Sequence, residues 1–204
     1  MEIKEKILQV ATGLFRHRGV RAVTMDDIAR DAGMSKKTIY QEFKDKSQLV
    51  FEAFCLFLDK DECHLQQIFE KEEEVIEHFI KISRFMRDKY ADMNPLILIE
   101  IKRFYPKAWR RFEEFKKGHA LKSMVEIIEK GKQQGYFRKE INAEILAMMR
   151  LEQISLDFQG ISNGWDFSMY DLQMQMFDHF IHGILTDKGR EAYLQEPINL
   201  KDLS

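Results

Sequence analysis

Between Lys36 and Lys46 the chain gathers Lys36, Lys37, Thr38, Tyr40, Gln41, Lys44 and Lys46. Ammonium groups packed this closely can neutralise phosphates, and the hydroxyls of Thr38 and Tyr40 can bond phosphate oxygens or base edges. Lys36 or Lys37, near the start of a helix, could reach the guanine acceptors of a major groove. The bland alternative is a solvated basic face on a small bundle. The elements that carry these residues decide between the two.

Other constellations are weaker. Gly160-Ile161-Ser162-Asn163-Gly164 has the G-x-S-x-G spacing of a nucleophile elbow. That device needs a strained turn from strand to helix above a sheet, and no strand is expected here. A glycine-rich loop between helices accounts for it better. Asp61, Cys63 and His64 form one set of metal-ligand types, and Asp178, His179 and His182 another. Neither supplies a full ligand set from one chain. The sequence holds no phosphate loop, dinucleotide fingerprint or zincin motif. No catalytic residue, metal or cofactor is assigned, and an enzyme is not expected.

The punctuation around the lysines is that of three short helices. Ile3, Ile7, Val10, Ala11, Leu14 and Phe15 fall on one face of a first helix. Arg16, His17, Arg18 and Gly19 close it, with cations at the negative helix end and a glycine suited to a left-handed cap. Thr24 can cap a second helix whose third residue is Asp27, with Val23 and Ile28 as the staple. Gly33 can take the positive φ of a sharp turn. Ser35 then caps a helix running to about Glu42, with Met34 and Ile39 in the staple positions. So short a helix is unstable alone and must be braced by Ile39 and Phe43 against the first two. Asp45 and Gln48 have capping-box spacing for the next. A short helix braced on two others, with polar residues outward, is a recognition-helix arrangement.

The run VTMDDIARDAGMSKKTIYQEFKDKSQLV, Val23 to Val50, resembles the DNA-binding domain of the tetracycline-repressor (TetR) family. Thr38-Ile39-Tyr40 with Phe43 and Lys46 looks like that family's recognition-helix signature. The resemblance implies phosphate contacts at Thr24, Thr38 and Lys46, and base or nearby backbone contacts at Lys36, Lys37 and Tyr40. Glu42 departs from it, standing where many relatives carry His or Tyr. A carboxylate there would be repelled by phosphate, so Glu42 is left out of the contact set.

The chain has 204 residues, 45% hydrophobic and 32% charged, with three prolines and ten glycines. Leu, Met, Phe, Glu and Lys dominate and no alternating strand pattern occurs, so the expected fold is all-α. Residues 1–50 hold ten Lys/Arg against seven Asp/Glu, and the remainder 22 against 27, a basic head on an acidic body. The N-terminus is too charged for a signal peptide, and no apolar stretch reaches the ~20 residues of a membrane span. Cys55 and Cys63, on one helix, would stand about 12 Å apart along its axis, too far to bridge. A reduced, cytoplasmic protein fits.

The expected division is a helix-turn-helix domain over 1–50 and a helical effector-binding and dimerisation domain over 51–204. A long helix from Asp45, reaching towards Phe69, joins them. Asn94-Pro95 and Pro106 open further helices, the second long and ending near Gly131 or Gly135. Two last helices start at Asn142 and Ser168. Ala147, Leu151, Ile154, Phe158 and Ile161 on one, and Tyr170, Met174, Phe177, Ile181 and Ile184 on the other, repeat every three or four residues as a packing seam. Both helices are also apolar off the seam, so both are expected to be buried on two sides. Leu151, Ile154, Phe158, Tyr170, Met174, Phe177, Ile181 and Ile184 are the candidate homodimer contacts; a single-chain core filled from both sides is the alternative. Phe85, Met86, Tyr90, Phe104, Tyr105, Trp109, Phe112, Met148 and Met149 are the candidate lining of an apolar cavity.

The expected function is sequence-specific binding to a near-palindromic double-stranded operator. The resemblance implies a repressor whose body takes a small, often lipophilic effector that reorients the heads. The rival reading keeps the DNA binding but gives a regulator or architectural protein controlled by a protein partner.

Overall fold

The structure, a computed structural model, describes residues 2–70, 74–91, 93–94, 96–154 and 169–195. They form eleven α-helices and no named strand: α1 (Ile3–Arg18), α2 (Met25–Ala32), α3 (Lys36–Glu42), α4 (Lys46–Phe69), α5 (Val75–Ala91), α6 (Leu96–Phe104), α7 (Pro106–Phe115), α8 (Leu121–Gln133), α9 (Ala143–Ile154), α10 (Met169–Ile184) and α11 (Asp187–Gln195). The long helix expected after Pro106 contains a π-helical turn, Lys116–Ala120, between α7 and α8. Helix α11 has no counterpart in the sequence reading. Among the described residues, no helix is long and apolar enough to cross a membrane. Both cysteines lie on α4 and are unbridged.

Two compact units are present. One comprises Met1–Cys63 and Asp92–Phe115, the other His64–Ala91 and Lys116–Ser204. Compactness therefore does not follow a boundary at residue 50: α6 and α7 join the unit that holds α1–α3. In that unit Ile7, Ile28, Ile39, Phe43 and Leu49 are fully buried. Helix α6 buries Ile97 and Ile101 and is also tied by polar contacts. Asn94 donates its backbone N–H to the Arg16 carbonyl at 2.7 Å, closing the end of α1. The Glu100 carboxylate accepts from the backbone N–H groups of Val20 at 2.6 Å and Arg21 at 2.9 Å. Gly19 turns the chain there with a φ of 80°.

The second unit is built on one apolar cluster that draws Val75, Phe79, Ile128, Phe137, Ala147, Phe177, Ile181, Ile184 and Tyr193 from five helices and a loop. Phe137, in the turn after α8, meets Phe79 edge-on at 5.1 Å between ring centroids. Charged groups are enclosed beside this cluster. Lys116 is 3% exposed, with its Nζ 2.9 Å from Glu152. Arg150 is 2% exposed, with its guanidinium 5.5 Å from the Phe177 ring.

Candidate nucleic-acid interface

Helices α2, α3 and α4 are each started by a short polar side chain. The Thr24 hydroxyl accepts from the Asp27 N–H at 3.1 Å, and the Asp27 carboxylate accepts from the Thr24 N–H at 2.9 Å. The same carboxylate takes the Thr24 hydroxyl proton at 2.6 Å and the Arg30 guanidinium at 2.6 Å. Hydrogen bonding from Thr24, reinforced by Arg30, holds the Asp27 carboxyl at about 2, well below the ordinary carboxylate range. Gly33 leaves α2 in the left-handed conformation at φ 66°, as its position implies.

Ser35 starts α3, its hydroxyl accepting from the Thr38 N–H at 3.1 Å. Asp45 starts α4 by accepting from the Gln48 N–H at 2.8 Å. The reciprocal half of that last cap differs from expectation. Gln48 Oε1 accepts from the Lys44 N–H at 2.9 Å, one residue before the cap, and so braces the turn between α3 and α4.

Helix α3 spans seven residues and is held by one side. Ile39 and, just beyond its end, Phe43 are both fully buried. Burial of a side chain of this size contributes about 1.5–3 kcal/mol, which a single polar face could not supply. The remaining face points away: Lys37, Tyr40, Gln41 and Lys44 are exposed, Tyr40 by 46%. Among the described residues no carboxylate lies within ion-pair distance of Lys37 or Lys44.

The other residues singled out by sequence are already engaged. Lys36 pairs with Asp26 of α2 at 2.7 Å, and that carboxylate raises its pKa. Thr38 is half-buried, its hydroxyl 2.9 Å from that of Ser35. The Thr24 hydroxyl is committed to its cap. Lys46 is half-buried, bonds the Arg21 carbonyl at 3.3 Å, and has its pKa lowered chiefly by burial. Sequence reasoning missed Arg21 and Glu100 altogether. The contact joining them spans about eighty positions, so no local pattern announces it.

The seam and pocket residues fare differently. Leu151, Met174, Phe177, Ile181 and Ile184 are buried by their own chain, Ile154 and Tyr170 are half-buried, and Phe158 lies outside the described residues. Much of the seam is thus spent inside the chain, where α9 and α10 pack on their own unit. The apolar groups that α9 leaves outside are Ile145, Met148 and Met149, at 56%, 53% and 44% exposure.

The nine residues named for a cavity are divided between the two units. Met86 and Phe112 are buried, Phe112 packing with Phe54 and Trp109. Phe85 stacks on His64 at 4.5 Å and borders an open recess between the end of α4 and α5, where Glu70, Lys81, Arg84 and Asp88 also stand. Phe104 lies under Arg21, and the Tyr105 hydroxyl, half-buried, is pushed up in pKa by burial. The side chain of Tyr90 is outside the described residues, and Met148 and Met149 face out. A small apolar cavity of about 30 Å³ lies in the first unit, lined by Phe15, Val20, Phe54, Phe57, Ile97 and Ile101 among others. That is room for about two water molecules, far below a drug-sized ligand.

Of the residues considered for a metal, Asp178 and His182 lie 3.4 Å apart on α10, and among the described residues no three ligand-type side chains converge. Ser162 lies outside the described residues.

Residues 7–53 match the family model of bacterial regulatory proteins, tetR family. The HTH-type transcriptional repressor KstR2 of Mycolicibacterium smegmatis is 24% identical over 189 residues, covering 91% of this chain and 92% of its own. A Staphylococcus aureus HTH-type transcriptional regulator is 36% identical over 67 residues, a third of this chain and 36% of its own length. The fold is shared with a TetR-family regulator from Agrobacterium tumefaciens, with TM-score 0.72 and 16% identity over 90% of this chain and 98% of that one. It is also shared with a regulator from Saccharomonospora viridis solved in complex with choline, with TM-score 0.71 and 22% identity over 90% and 97%.

Proposed function

We propose that this chain, which belongs to the tetR family of bacterial regulatory proteins, is a cytoplasmic repressor that binds a near-palindromic operator as a homodimer and leaves it when a small ligand binds. The observation that carries the DNA half is the outer face of α3. Lys37, Tyr40, Gln41 and Lys44 stand free of the fold on a helix that Ile39 and Phe43 hold from behind. The exposed groups enter the major groove, the lysines on phosphates and guanines, Tyr40 and Gln41 at base edges. Lys36, Thr24, Thr38 and Lys46 frame that face at the backbone.

Two copies place two recognition helices ~34–36 Å apart, one helical turn of DNA. The dimer contact is assigned to the exposed flank of α9, where Ile145, Met148 and Met149 follow helical spacing on one side. The repressor sign follows the naming of the mycobacterial relative. Control by a small, largely apolar ligand draws on the choline-bound neighbour, on the KstR2 structure described as a ketosteroid regulator, and on the body's richness in Met and aromatics.

The test begins by selecting bound sequences from a pool of random duplexes. An inverted repeat is expected. Tyr40→Ala should then erode discrimination between the selected site and random DNA. Lys44→Ala should weaken both alike and flatten the salt dependence by about one unit. No enrichment from the pool sinks the DNA reading. Met148→Lys should shift sedimentation from dimer to monomer; a dimeric variant moves the interface elsewhere. A compound that raises the melting temperature should also weaken operator binding, and stabilisation without release would remove the ligand from the account.

A further inference from the structure

We propose that Arg21 and Arg103 form a clamp for one DNA phosphate beside the recognition helix, with the Phe104 ring as its floor. The proposal rests on the DNA-binding reading above and lies within the unit that holds α1–α3, α6 and α7.

Phe104, at the end of α6, is 41% exposed, although an aromatic ring of this size is ordinarily covered. Two cations lie over its ring. The Arg21 guanidinium stands 4.5 Å from the ring centroid and that of Arg103 stands 5.3 Å from it. Each cation is attracted to the ring face, but the two repel one another. Among the described residues no carboxylate lies within ion-pair distance of either. The nearby Glu100 is engaged by backbone instead, its Oε2 accepting from the N–H groups of Val20 and Arg21. Two like charges drawn to one site with no anion between them are relieved by an anion. The planar donor forks of arginine fit phosphate oxygens in particular.

The placement selects DNA as the source of that phosphate. Arg21 sits on the loop between α1 and α2, three residues before the Thr24 cap, and its carbonyl holds Lys46 Nζ at 3.3 Å. A line of cations therefore leaves the edge of the α3 face at Lys46 and continues through Arg21 to Arg103. Phosphates of one strand recur about every 3.4 Å along the duplex axis, so such a line follows a strand. A helix-end role explains Arg103, since cations favour the last turn of α6. It does not explain Arg21, which comes from another element to the same ring.

The test uses the whole protein and a 30-base-pair duplex of arbitrary sequence, with affinity measured by fluorescence anisotropy between 50 and 200 mM KCl. Losing one phosphate contact lowers the salt slope by about 0.9. The R21Q/R103Q double variant should therefore lose ~3.5-fold less affinity than the parent over that fourfold range, and each single variant should fall between. R21K/R103K keeps the charges and should keep the slope, which separates phosphate binding from any loss of packing around Phe104. An unchanged slope in R21Q/R103Q, while Lys44→Ala still flattens it, overturns the clamp and leaves the DNA reading intact. A loss near two units, additive in the single variants, means two separate phosphates and overturns the shared site. Stabilisation by inorganic phosphate that depends on both arginines, with DNA binding unaffected, would make this a free-anion site instead. If the parent binds no duplex at all, the underlying reading fails first.

Discussion

The unit that carries the recognition helix and the unit that carries α8–α10 are ordered in opposite ways. In the first, helices begin where Thr24, Ser35, Asp45 and Asn94 satisfy backbone N–H groups two or three residues on. The buried residues behind them are mostly aliphatic, with Phe15, Phe43, Phe54 and Phe112 among them. In the second, Asn142 and Thr186 make comparable caps, to the Ile145 and Gly189 N–H groups. Beyond these caps, order there comes from a cluster that joins positions as far apart as Val75 and Tyr193 and leaves Arg150 and Lys116 almost without solvent. A surface that meets an external polymer is held by many small local terms, each of about 1 kcal/mol. A body that bears a packing load is held by a few large ones. The difference teaches that substitutions should fail gently in one unit and steeply in the other.

The largest effect is expected at Phe137. It is fully buried, lies against Gly131 of α8, and meets Phe79 edge-on. Phe137→Ala removes the ring from the centre of the cluster and should cost about 3–5 kcal/mol, read from urea unfolding. A loss near 1 kcal/mol would show that the second unit is no more steeply built than the first. The next effect is smaller and opposite in kind. At Gly189 of α11 a Cβ would collide with the Tyr136 carbonyl, a backbone atom that cannot rotate aside. Gly189→Ala should destabilise by about 1–3 kcal/mol through overpacking. A neutral result would mean that α11 rides loosely on the cluster.

How much of this was legible follows the same division. The caps at Thr24, Ser35 and Asp45, the positive φ of Gly33 and the bracing by Ile39 were all readable, because each is a pattern within five residues. The position of α6 was not. Its polar ties to the other unit members are hydrogen bonds from Asn94 to Arg16 and from Val20 and Arg21 to Glu100, across nearly eighty residues. The spacing of Phe177, Ile181 and Ile184 correctly marked a packed face, but periodicity cannot say whether the partner is the same chain or another. Aromatic and Met content likewise cannot distinguish core from cavity wall. Phe112 is core, Phe104 carries arginines, and Met148 and Met149 are outside. Lys116 and Arg150 read as surface residues on composition and are interior ones in the fold.

The smallest effect is the most diagnostic of local order. Thr24→Ala removes the hydroxyl that accepts from the Asp27 N–H and donates to the Asp27 carboxylate. Loss of such a cap should cost about 1 kcal/mol near neutral pH, with the second unit unaffected. Its pH dependence has a definite sign. In the folded chain the Asp27 carboxyl sits at about 2, held there first by Thr24, against an unfolded value of about 3.9. A carboxyl lowered on folding stabilises the fold above the unfolded pKa, and that stabilisation disappears as pH falls through the folded one. The parent should therefore lose this contribution between about pH 4 and pH 2. In Thr24→Ala the Asp27 pKa should rise part of the way towards the ordinary range, because its largest cause is gone while the residue-24 N–H and Arg30 remain. The stability gap between parent and variant should then narrow steadily over that window. Titration of the Asp27 carboxyl by NMR in both proteins supplies the direct check. If the two titrate together, Thr24 is not what holds the carboxyl down, and the reciprocal cap contributes geometry to α2 without charge.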